Sequence, residues 1–188
     1  MPSMPRGFER RTSLRSFAWI GSAGVLALGL LAHPAFATKA GKTARTRIAV
    51  FAFELDDESP AASLLNEATS TAAAMEKVNS DARAELAQSG RYDVIDASKT
   101  DMSAVANKSF RSCDGCEAGI ALTLGAEQSF IGIVKRATQT DYYIVIQIRD
   151  ARTGKVLDQQ AANFAGGEEG WGTGARMLIR HQILPSKN

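Results

Sequence analysis

Two runs of alternating apolar residues, Gln128 to Ala137 and Asp141 to Asp150, meet across a short polar turn, Thr138 to Thr140. Period-two runs joined so closely must pair antiparallel, because so short a link leaves no room for a crossover. Ala151 to Gly154 makes a second turn, and Lys155 to Phe164 a third strand. A sheet with an apolar face needs a cover, and the flanking sequence supplies helices. Before the hairpin, Cys113-Asp114-Gly115-Cys116 opens a short apolar helix through Ile120, Leu122, Thr123 and Leu124, stopped at Gly125. After the glycine-acidic loop Ala165 to Gly170, a last helix carries Trp171, Ala175, Leu178, Ile179 and Gln182-Ile183 on one face, with Arg176, Arg180 and His181 opposite.

Upstream, Ile48-Ala49-Val50-Phe51-Ala52-Phe53 is a continuous apolar run and reads as a strand buried on both sides. Glu54, Asp56, Asp57 and Glu58 crowd its end and are expected to form a solvated loop. Ser59-Pro60 reads as a helix cap followed by proline at the first helical position. From there to Gly90, Leu65, Ala68, Ala72, Met75, Ala82 and Leu86 mark one helix face, with Asn79 a polar exception on it. Tyr92 to Asp96 is a second short strand, Ala97 to Ala106 a short helix, and Asn107 to Ser112 a loop. The order β-α-β-α-β-β-β-α implies an α/β (α+β) fold, a single mixed sheet of about five strands with helices packed on it.

The first 37 residues have the pattern of a cleavable export signal. Arg6, Arg10, Arg11 and Arg15 precede an apolar stretch, Phe17 to Leu31, and Ala35-Phe36-Ala37 is a cleavage site. Residues 38–46 read as a flexible leader, and 47–188 as one α/β domain. Arg10-Arg11 hints at twin-arginine export, but no downstream cofactor site calls for it, so the general secretory route is expected. The signal has no cysteine for lipid attachment. Without it, 151 residues carry 18 basic and 19 acidic side chains, so the basic character belongs to the signal. That balance argues against nucleic acid as a partner. The expected address is the periplasm, with no stable membrane span after cleavage.

Three stretches resemble known envelope proteins. Arg47 to Phe53, Ser89-Gly90-Arg91-Tyr92-Asp93-Val94-Ile95-Asp96, and Leu124-Gly125-Ala126 through Asp150-Ala151-Arg152-Thr153-Gly154-Lys155-Val156 occur in order. They resemble the α/β domain of curli-transport lipoproteins and the N-terminal domain of TolB-type periplasmic proteins. The chain lacks the lipobox and the membrane-inserting strands of curli-transport channels, so pore formation is not implied. A fuller similarity, over nearly all of Arg47 to Ile183, is to an uncharacterised family of secreted bacterial proteins. It rests on Cys113-Asp114-Gly115-Cys116, Gly125-Ala126, Ile148-Arg149-Asp150 and the helix from Trp171 to Arg180. The resemblance implies gene neighbourhoods with quinoprotein (pyrroloquinoline quinone) alcohol dehydrogenases and brings no molecular activity.

Few residues offer chemistry. Cys113 and Cys116 would meet an oxidising compartment after export, where such a pair closes. Glu117 follows where haem attachment needs histidine, and zinc would need two more ligands that the chain after the signal, with only His181, does not supply. A structural clasp and thiol–disulfide exchange remain, the clasp being the simpler; Asp114 and Glu117 would oppose a thiolate. Asp56, Asp57 and Glu58 lie where ligands of open sheets often bind. Trp171 is either an exposed contact or the first core residue of the last helix. No nucleophile elbow or phosphate loop occurs. The expectation is an exported, non-catalytic accessory protein without cofactor or metal. It would bind another periplasmic protein, a quinoprotein dehydrogenase or its relay being one candidate. The alternative is a thiol–disulfide protein using Cys113 and Cys116.

Overall fold

The computed structural model describes residues 44–59, 68–99 and 109–185, all within the unit Lys42–Asn188. The export signal, most of the leader, Pro60 and the expected start of the first helix lie outside the described residues. So does most of the expected helix after Tyr92 to Asp96. Six strands and three helices are described: β1 (Thr46–Val50), β2 (Glu54–Asp57), α1 (Ala68–Gln88), β3 (Tyr92–Asp96), α2 (Cys116–Thr123), β4 (Gln128–Arg136), β5 (Asp141–Asp150), β6 (Val156–Ala165) and α3 (Trp171–Leu178). They form one mixed sheet in the order β3-β1-β4-β5-β6, with β2 also paired to β4. The three long strands fall within a residue or so of the positions that alternation gives.

The sixth strand was not expected. The acidic stretch Glu54–Asp57 is a strand parallel to β4 rather than a solvated loop. β1 pairs Val50 with Phe130, and β2 resumes with Glu54 opposite Ile133. Three residues, Phe51 to Phe53, therefore stand opposite two, Ile131 and Gly132. One extra residue in a strand leaves a backbone group unpaired and reverses the side-chain alternation beyond it. Ile48 and Val50 face one side of the sheet and Phe51 the other, yet Phe53 and Leu55 return to the first.

That first side is the larger core. Ile48, Val50, Phe130, Val134, Ile144, Ile146 and Ile148 meet Val78, Ala82 and Leu86 of α1 and Trp171, Ala175 and Leu178 of α3. Each such aliphatic side chain contributes about 1.5–3 kcal/mol when fully buried. After α3 the chain continues as a π turn, Ile179–Ile183, in which the Leu184 N–H donates to the Ile179 carbonyl at 2.9 Å. This wider turn keeps both Ile179 and Ile183 in the core. Arg180 then reaches α1, its Nε and guanidinium N–H donating to the two carboxylate oxygens of buried Glu85 at 2.9 and 2.7 Å.

The second side is covered only in part. Ala49, Phe51, Ile131 and Ala151 pack with Ala121 of α2 and Ala97. Toward β5 and β6 the cover gives out: Tyr143 is 45% exposed, and alternate residues of β6 are exposed along that face.

Candidate functional site

The loop from Phe110 to Asp114 and the open part of this second face enclose a groove of about 250 Å³. Ile131, Ile133 and Val145 form its floor, and Gln147, Arg149, Arg111 and Asp114 stand around it. The wall is the loop carrying the cysteines. Glu54 of β2 holds that loop: its carboxylate accepts from the Phe110 N–H at 2.5 Å, the Arg111 N–H at 3.3 Å and the Ser109 hydroxyl. The bulge after β1 turns Glu54 to this side, so the position of the loop depends on it.

Cys113 and Cys116 form a disulfide. Between them Asp114 and Gly115 both take positive φ, 43° and 101°, which asparagine, aspartate and glycine tolerate best. A side chain at Gly115 would also meet the Arg149 guanidinium, 3.3 Å from a built Cβ. Closing so short a loop contributes about 2 kcal/mol in the chain-entropy account. As a disulfide the sulfurs provide no thiolate for a metal.

Cys116 is the first residue of α2, and the next residue, Glu117, is fully buried. Among the described residues, no other residue donates a hydrogen bond of good geometry to either carboxylate oxygen of Glu117. Among the described residues it pairs with Arg149, whose Nε lies 3.1 Å from Oε1. Burial pushes the Glu117 carboxyl above the ordinary glutamate range, against the pull of Arg149. Arg149 meanwhile donates to the Gln147 side chain at 2.9 Å, the Gly154 carbonyl at 3.0 Å and Asp114 at 3.2 Å. Gln147 in turn donates to Gln159 of β6 at 2.7 Å. A polar ladder thus crosses the groove from β6 to the disulfide loop.

The acidic residues flagged in the sequence are engaged elsewhere. Asp56 lies between Arg111 (3.3 Å) and Lys135 (3.5 Å), and Glu58 meets Lys135 at 3.1 Å. Asp57 points to the opposite side of the sheet, where it accepts from Arg136, which also donates to Glu168 at 2.7 Å. The Arg136 hydrogen bond holds the Asp57 carboxyl down at about 2. Trp171 is 1% exposed, with the Arg136 guanidinium 5.8 Å from its ring centre. The structure therefore brings Cys113, Cys116, Asp56 and the groove to one side, and leaves Asp57 and Trp171 on the other. Sequence reading missed Glu54 as an anchor, and Glu117 and Arg149 as a pair. The Ile148-Arg149-Asp150 motif was the available signal, an arginine at alternation opposite to three buried isoleucines.

The family model described as "Protein of unknown function (DUF2380)", DUF3280, matches residues 46–183, and the chain belongs to this family. No curated protein matches it. Among solved structures it is similar to the PelC dodecamer from Paraburkholderia phytofirmans, at 17% identity over 75% of this chain and 87% of that one, TM-score 0.47. It is also similar to the LpoB C-terminal domain from Escherichia coli, at 16% identity over 65% and 84%, TM-score 0.46. A third, TolB from Acinetobacter baumannii, has 16% identity over 74% of this chain and 28% of that one, TM-score 0.45. No helix among the described residues is long and apolar enough to cross a membrane.

Proposed function

We propose that the protein is exported to the periplasm and acts there without catalysis, as an accessory factor that binds another protein. One observation carries the reading: the groove joins an apolar floor, Ile131, Ile133 and Val145, to a polar rim on a face whose outer strands keep exposed side chains. Apolar floors with a few placed polar groups suit an inserted side chain or short segment of a partner. Support for export comes from the signal-like first 37 residues. The finer reading is that the partner belongs to a quinoprotein alcohol dehydrogenase system. It rests on the resemblance to secreted proteins encoded beside such enzymes.

Affinity capture from periplasmic extract tests both levels. Wild-type bait should recover a protein that a Val145→Glu bait recovers at least about tenfold less, since a charge would be desolvated on the groove floor. A quinoprotein dehydrogenase or its electron relay among those proteins would support the finer reading. If the two baits recover the same proteins equally, the groove is not the binding site.

A further inference from the structure

We propose that the Cys113–Cys116 disulfide is redox-active and that Glu117 handles a proton for it. The geometry carries this beyond the accessory role, and independently of it. One carboxylate oxygen of Glu117 and both sulfurs lie within 4.8 Å of one another. The carboxylate is fully buried while both cysteines are partly exposed, so a partner reaches the sulfur from outside and the acid waits behind it. A clasp alone gives no reason to bury a carboxylate whose partners are the Arg149 Nε and its own backbone N–H, since burying an ion costs more than so few partners return. Charged groups acting on Glu117 are Arg149 from β5 and Asp114 from the loop. Strand β4, against which α2 packs, places Ser129 and Ile131 on this side, and neither ionises near neutrality.

The co-reactant is a protein dithiol. Its thiolate attacks Cys113 Sγ, forming a mixed disulfide and breaking the Cys113–Cys116 bond. The electron pair leaves on Cys116 Sγ, at the positive end of α2, which makes it the better leaving group. The protonated Glu117 carboxyl gives its proton to that thiolate. The partner's second thiol returns a proton to Glu117 and attacks its own sulfur in the mixed disulfide. Cys113 is expelled as a thiolate and is protonated by water. Cys113 and Cys116 end reduced by two electrons, and the partner dithiol ends as a disulfide.

The test is the rate at which dithiothreitol reduces the exported protein between pH 4 and 9, expressed per dithiothreitol thiolate. Wild type should react fastest at low pH, and the rate should fall by more than about tenfold as Glu117 loses its proton. Glu117→Gln, of the same shape, should show no such fall. The reduced protein should keep its native circular dichroism. A pH-independent rate in wild type overturns the proposal even if Glu117→Gln fails to fold. So does an unchanged profile in Glu117→Gln, or loss of the native signal on reduction, which would leave the disulfide a clasp.

Discussion

The backbone N–H of Phe53 donates to the side-chain carbonyl of Asn79, 2.7 Å away across the core. Phe53 closes the bulge between β1 and β2, and the bulge leaves this N–H without a partner in the sheet. Asn79 sits on the buried face of α1, 8% exposed, to supply one. A polar residue in an apolar helix face is thus the complement of an extra residue in a strand. Asn79→Ala leaves a buried donor unmet, at about 1–3 kcal/mol. The expected outcome is a lower urea midpoint with an unchanged denaturant slope. An unchanged midpoint would mean that another group takes over the Phe53 N–H.

Gly132 of β4 lies under the Phe53 ring. A Cβ built on it would stand 2.2 Å from the ring of Phe53, a residue 5% exposed whose ring lies tilted against Phe130. Gly132→Ala should therefore destabilise the fold by about 1–3 kcal/mol through overpacking, despite the usual gain from replacing a strand glycine. Phe53→Leu in the same chain should recover part of the loss. Additive costs in the double variant, measured by thermal unfolding, would show that the two positions do not meet.

Asp57 makes the fold sensitive to acid. Its folded-state value of about 2 lies below the ordinary 3.8, so it binds its proton more weakly folded than unfolded. The resulting stability is complete above about pH 4 and is lost as pH falls through 2, amounting to about 2 kcal/mol for a group mostly shielded from solvent. Asp57→Asn should be less stable than wild type at pH 6, and the gap should close by about pH 2. A gap that stayed constant across that range would assign the cost of the variant to packing.

Much of the architecture can be read from residue order. Alternation alone places β4, β5 and β6, since each must keep one face dry: Tyr142, Ile144, Ile146 and Ile148 are all buried. The repeat of Trp171, Ala175, Leu178 and Ile179 likewise places α3 on the core. The continuation as a π turn is not visible, because the heptad-like spacing fits either helix to within one residue. At the site, the cysteine pair, its helix and the acid beside it are legible, whereas the burial of Glu117 is not, because glutamate is common at a helix start and usually exposed there.

What the sequence determined by itself is therefore the elements other than β2, their order and their apolar faces, because these follow from local periodicity and turn chemistry. Tertiary structure decided the parity of β2. One inserted residue between Val50 and Glu54 turned Glu54 toward the disulfide loop, where it accepts the Phe110 N–H. The same insertion turned Asp57 toward Arg136 on the opposite side. No local signal at Phe51-Ala52-Phe53 marks that insertion. It depends on Asn79 and Gly132, 26 and 79 residues along the chain, which meet Phe53 only once the sheet and α1 have packed.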